Sequence, residues 1–171
     1  LKRKQIIHKA ENKKSIFEDI LKEHREKTGS LKYTLVYVPE GNQPDDQGAD
    51  VFDTTERIKD DEDTIHLINE YTRIVRDVDS HIVVRQFTSE SIDRDAILAD
   101  FAKGNIDVLT SMKCLDEGVD VPRSEFAIFC ASTGNPRQFI QRRGRVLRTH
   151  DDKRFAIIHD LVVIPQINFD P

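Results

Sequence analysis

The sequence predicts a three-layer α/β domain with a mostly parallel central sheet flanked by helices. Three observations predict it. Short apolar segments (KYTLVYV at 32–38, HIVVRQF at 81–87, FAIFCA at 126–131) alternate with longer helical patterns, as parallel strands joined by crossover helices do. The 171 residues suit one core of ordinary size. Hydrophobic residues at 37% and charged residues at 33% give a globular balance, unlike that of a disordered or membrane-embedded chain.

Residues 2–28 predict helix, interrupted near Asn12 because Ser15 and Glu18 have capping-box spacing. This opening is basic but lacks the apolar core and cleavage site of a signal peptide. No apolar run has bilayer-spanning length, and no membrane partner is expected. Strand 32–38 runs into Pro39, Glu40 and Gly41, and a long polar loop is expected at 42–61. Nine acids lie between Gly41 and Asp63 against Arg57 and Lys59, and a solvated loop accounts for them most simply.

A helix at 62–77 and a strand at 81–87 follow. Ser91 offers a cap to a helix with Ile92, Ala96, Ile97 and Phe101 along one stripe, closed by Gly104. Strands at 106–110 and 126–131 precede a helix at 135–148, which Asn135 caps and Pro136 opens. A strand at 155–159 ends the pattern. Ligands of such sheets sit at the carboxyl ends of the strands, where the polar segments after Val38, Phe87, Thr110 and Ala131 fall. Cys114 and Cys130 are too few for a disulfide framework or a zinc site. They read as small buried thiols of a protein in a reducing cytoplasm.

The net charge of −5 argues against a wholly basic nucleic-acid module, but the charge is patterned. Seven bases lie between Arg137 and Arg154 against Asp151 and Asp152, which points to a local anion site. Winding 135–148 as a helix puts Gln141, Arg145 and Arg148 on one face. Phe139, Ile140, Val146 and Leu147 fall opposite, where they are expected to pack on the sheet. Gly144 costs a helix interior about 1 kcal/mol relative to Ala, which implies that something approaches closely there. Arg143 projects from the apolar side, and the wheel offers no account of it.

A rigid pair of guanidinium forks suits phosphate oxygens, although arginines at such spacing are commonly just a solvated face. Earlier, TSMKCLDEGVDVP at 110–122 ends a strand, turns, and reverses at Gly118, leaving Asp120 in a loop near the strand ends. Alone, that GxD is an ordinary structural turn.

Taken together, Gly118-Val119-Asp120 followed by QRRGRVLR resembles motifs V and VI of superfamily 2 helicases, in the order found in their second RecA-like lobe. KYTLVYVPEG resembles the motif IV strand, and VRQFTSE resembles motif IVa. The resemblance covers roughly residues 12–165. Gln141, where DEAD-box members carry His, resembles the DExH side. CLDEGVDVP and NPRQFIQRRGRVLR look most like bacterial DNA translocases of restriction or defence systems and related repair helicases.

The resemblance implies that Arg145 and Arg148 act on the γ-phosphate as arginine fingers and that Gln141 links their helix to the nucleotide and the first lobe. It places Gly118 and Asp120 near the ribose and the attacking water. Thr88, Ser89, Ser111 and Lys113 are implied to hold the nucleic-acid backbone. Met112 departs from the pattern, since many relatives carry a phosphate-contacting Thr there.

ATP and Mg2+ are implied as cofactors, bound mainly by a first lobe of the same polypeptide. The implied partner is nucleic acid, DNA in preference to RNA. Neither GxxxxGK[ST] nor a DExx strand is present, and Asp61-Glu62-Asp63-Thr64 falls in a polar stretch. Residues 1–28 are therefore expected to lead in from a first lobe, 29–171 to form the helicase C-terminal domain, and this piece to be inactive alone. The alternative is a non-catalytic RecA-like interaction module, which has no need of Gln141, Arg145 and Arg148 together.

Overall fold

The computed structural model describes residues 12–39, 57–88, 90–112, 119, 121, 123–130 and 136–163, with backbone alone at 57–64 and 136–138. The described elements are α1 (Asn12–Thr28), β1 (Thr34–Tyr37), α2 (Arg57–Val78), β2 (Val84–Phe87), α3 (Arg94–Lys103), β3 (Val108–Ser111), β4 (Phe126–Phe129), α4 (Pro136–Val146) and β5 (Ile157–Asp160). The strands stand in the order β2-β3-β1-β4-β5 and every neighbouring pair is parallel. The sheet is thus wholly rather than mostly parallel.

Burial explains the strand sequences. The inner strands β1 (TLVY), β3 (VLTS) and β4 (FAIF) are buried at every residue because helices cover both faces. The edge strands β2 and β5 are more open. On one face, Phe17 and Leu21 of α1 and Leu67, Ile68, Tyr71 and Val75 of α2 pack against Val36, Val108, Phe126 and Ile128. On the other, Ile97 and Phe101 of α3 and Val146 of α4 pack against Leu35, Tyr37, Leu109, Ala127 and Phe129.

Several expected boundaries shift. Helix α2 begins at Arg57, so the polar loop ends by residue 56 instead of 61. Asp60, Asp61, Glu62 and Asp63 then lie in the first two helical turns, where the helix dipole favours acids. The rest of that acidic loop, residues 42–56, lies outside the described residues, as do residues 1–11 and Cys114.

Ser91 is not a helix cap. Its hydroxyl instead accepts the Thr88 backbone N–H at 2.9 Å, closing the turn after β2. Helix α3 starts after Asp93, which is left-handed (φ 56°) and makes no side-chain capping bond. Ile92 is accordingly exposed. Gly104 does close α3 at φ 75°, with cap N–H groups reaching Asp100 O and Phe101 O.

Candidate functional site

The parallel register draws the carboxyl ends of all five strands into one row: Phe87, Ser111, Tyr37, Phe129 and Asp160. Tyr37 and Phe129 are cross-strand neighbours in that row. Their rings stack at 4.5 Å and 10°, forming an aromatic platform at the carboxyl edge.

Helix α4 sits on this platform and corrects the wheel drawn from sequence. The platform takes arginines: Arg142, only 6% exposed, lies with its guanidinium 5.6 Å from the Tyr37 ring. Arg143 lies 5.2 Å from the Phe129 ring, covers Phe139, and pairs with Asp160 at the end of β5. Burial holds the Arg143 guanidinium below its ordinary pKa. Val146 packs inward as expected, but Ile140 and Leu147 turn outward, 68% and 58% exposed. Aromatic faces attract cations as well as apolar groups, so apolarity alone misassigns the inner face.

The remaining predicted residues separate. Gln141 and Arg148 are exposed, while Arg145 is half-buried and donates to the backbone carbonyl of Val119. That bond joins α4 to Val119, which lies between Gly118 and Asp120 in sequence. Helix α4 ends at Val146, so Arg148 lies just beyond it rather than on its last turn. The Arg148 N–H reaches Arg145 O at 3.4 Å. A Cβ built on Gly144 meets nothing within 4 Å, so no described part of this chain makes the close approach its glycine implies.

Thr88 directly follows β2 and its hydroxyl meets Ser91 Oγ at 3.3 Å. Ser111 is buried at the end of β3 and donates to Met112 O at 3.2 Å. Met112 itself packs against the core. Ser89, Lys113, Gly118 and Asp120 lie outside the described residues.

Sequence reasoning passed over three cations, one at the carboxyl edge and two at the amino ends of the strands. Lys13 of α1 is buried and donates to Cys130 O at 3.0 Å, just past β4; burial lowers its pKa and raises that of the Cys130 thiol. Arg123, before β4, stacks 4.1 Å over the Tyr33 ring and pairs with Asp152 at 3.3 Å. Lys153 donates to the carbonyls of Val146 and Arg148. Lys13 carried no signal in its basic run, and Lys153 was absorbed into the count of bases.

Comparison with known proteins bears on this geometry. A family model described as the helicase conserved C-terminal domain matches residues 44–150. The DNA 3'-5' translocase XPB2 of Sulfurisphaera tokodaii is 38% identical over 76 residues, covering 44% of this chain and 17% of that protein. Domain 2 of the DEAD-box helicase Mss116p, solved bound to an RNA duplex, superposes with a TM-score of 0.62 at 13% identity, covering 88% of this chain and 50% of that one. A fragment described as an HsdR subunit of a type I restriction enzyme from Vibrio vulnificus YJ016 gives 0.63 at 19% identity, covering 86% of this chain and 26% of that one. These structures share the RecA-like fold. The aligned stretches span 11–17% of the curated relatives. No described helix is long and apolar enough to cross a membrane.

Proposed function

The chain belongs to the helicase conserved C-terminal domain family, and from that premise we propose that it is the second motor lobe of an ATP-dependent helicase or translocase. In this reading residues 29–171 form the lobe and 1–28 lead in from a first lobe of the same cytoplasmic polypeptide. The observation that carries it is exposure along and just after α4: Gln141 on the helix and Arg148 two residues past its end are exposed, with open space at Gly144 between them. An exposed guanidinium fits a triphosphate presented by another body.

ATP supplies the phosphoryl bond whose hydrolysis drives the motor. Arg148 and Arg145 offer planar forks to the charge that develops on the γ-phosphoryl oxygens. Gln141 fixes the helix against the nucleotide and the first lobe. Arg145 also ties α4 to Val119, so a shift of this helix moves the segment that carries Gly118 and Asp120. The magnesium ion belongs with the first lobe in this reading. Among the described residues, no three His, Cys, Asp or Glu side chains form a group able to hold a metal ion.

Thr88 and Ser111 stand along the carboxyl edge, and we assign them, together with Ser89 and Lys113 beside them in sequence, to the nucleic-acid backbone. The name of the Sulfurisphaera relative favours DNA over RNA. Backbone contacts bind through charge and read little sequence. The chain alone is therefore expected to bind single and double strands weakly, with affinity falling steeply as salt rises, and to show no ATP turnover. Fluorescence anisotropy with labelled strands at low and high salt, alongside an ATPase assay, tests this. A sharp base-sequence preference that survives high salt contradicts it.

A further inference from the structure

Helix α4 ends one residue before Leu147 and two before Arg148, so the backbone that carries Arg148 lies outside the regular helical ladder. The last carbonyls of a helix have no partner within it, and an end of this kind leaves the following residues poorly fixed. Here the chain reverses at once. His150 and Lys153 form an antiparallel bridge, with Lys153 N–H donating to His150 O at 2.9 Å. The turn folds the Lys153 ammonium back under the helix, where it donates to Val146 O and, at 2.8 Å, to Arg148 O.

One cation thus spans both sides of Leu147. It meets the negative end of the helix dipole and holds the peptide immediately after the Arg148 Cα. The turn itself is anchored on the sheet. Arg123, just before β4, pairs with Asp152 at 3.3 Å and Glu125 at 3.6 Å and lies 3.4 Å from His150 Nδ1. Stacking of Arg123 on Tyr33 fixes that anchor in turn. A continuous set of contacts runs from the entry of β4 through the 150–153 turn to the Arg148 backbone.

We propose that Lys153 is a positioning residue for Arg148, clamping the helix end so that the Arg148 guanidinium is presented in one orientation to the nucleotide. This rests on the function proposed above. A clamp is useful there because a guanidinium that must meet a developing charge loses its effect when misplaced. A shift of about 1 Å in a catalytic group costs on the order of 100-fold in rate. Lys153 is suited to the task because it reaches two carbonyl oxygens, which a compact ammonium with several donors satisfies. Burial draws its pKa down and Glu125 opposes that shift.

The test is a double-mutant cycle in the complete protein, read as nucleic-acid-stimulated ATP turnover with kcat and KM resolved. Lys153→Met keeps the stem and removes the charge and donors. It is expected to lower kcat roughly 10- to 100-fold with KM for ATP within about twofold, and Lys153→Arg to recover part of the loss. In an Arg148→Ala background Lys153→Met should cost little more, because the residue acts through Arg148. Additive losses, or normal kcat in folded Lys153→Met, overturn the proposal while leaving the motor reading intact. Normal kcat in folded Arg148→Ala instead sinks the role of that arginine, which is a different failure. If Lys153→Met does not fold, Lys153→Gln, which keeps one donor, takes its place in the cycle, and additive losses or normal kcat overturn the proposal there in the same way.

Discussion

Replacing Arg143 with alanine isolates the contact that the helical wheel could not explain. The side chain covers two rings, Phe129 and Phe139, and pairs with Asp160. A cation over an aromatic ring at a site of this exposure contributes about 0.5–1 kcal/mol. The Asp160 side chain is 37% exposed, which limits the ion pair to about 0.2–1 kcal/mol. Two rings and one ion pair together predict a loss of about 1.2–3 kcal/mol, since no charge is left deeply buried. At about 2–4 °C per kcal/mol for a chain of this size, the melting temperature should fall by about 2–12 °C. Arg143→Lys should recover only part, because an ammonium keeps the charge but not the planar stacking. Asp160→Asn should cost the ion-pair share alone. Thermal melting followed by circular dichroism measures all three. Arg143→Ala melting within about 1 °C of the parent refutes docking of α4 through the aromatic platform.

Two further outcomes follow from the same structure. Gly144→Ala should stabilise the chain by up to about 1 kcal/mol, since helix propensity favours Ala and the added methyl meets nothing within 4 Å; a destabilised variant in thermal melting would reveal a neighbour beyond the described residues. His24 stacks on Phe126 at 3.8 Å, and burial first, then the charges of His159 and Lys27, lower its pKa from 6.5. Its neutral form is the one the fold favours, so its contribution is present above pH about 6.5 and lost as pH falls through the lowered value. Glu23, Lys27 and His159 face the same corner, so the comparison is made against His24→Phe, which keeps the stack without titrating. Melting at pH 7.5 and 5.5 should show a smaller drop for His24→Phe, and an equal drop contradicts the assignment.

Much of the fold was legible because apolar runs and helical patterns alternate strictly, and alternation leaves parallel strands with crossovers as the simplest topology. Element boundaries were less so. The acids at 60–63 look like loop when read by polarity, yet a helix N-terminus accepts them. Ser91 has cap chemistry but spends it on Thr88, a contact set by the turn after β2 and invisible to local spacing. In the candidate site, the outward placement of Gln141 followed from its position along the helix, whereas Arg148 is exposed beyond the helix end. The inward side of Arg143 was on the wheel but without a reason, and the inward placement of Arg142 was not, because both depend on Tyr37 and Phe129, residues far away in sequence that only register brings together. Lys13 and Lys153 were hidden for a related reason: each is held by backbone carbonyls, which no side-chain pattern announces.

In the proposed function, arginines of α4 and its end serve a nucleotide held mainly by another lobe. The most direct measurement is steady-state ATPase activity of the complete protein, with and without nucleic acid, for Arg148→Ala and Arg145→Ala, beside thermal melting and nucleotide affinity. Arg148 is exposed, so its loss should lower melting little, whereas Arg145 also holds Val119 and its loss should lower it more. Turnover is expected to fall on the order of 10³- to 10⁵-fold in both, with ATP affinity largely kept. Near-normal turnover in both folded variants would contradict it and return the chain to the role of a non-catalytic interaction module.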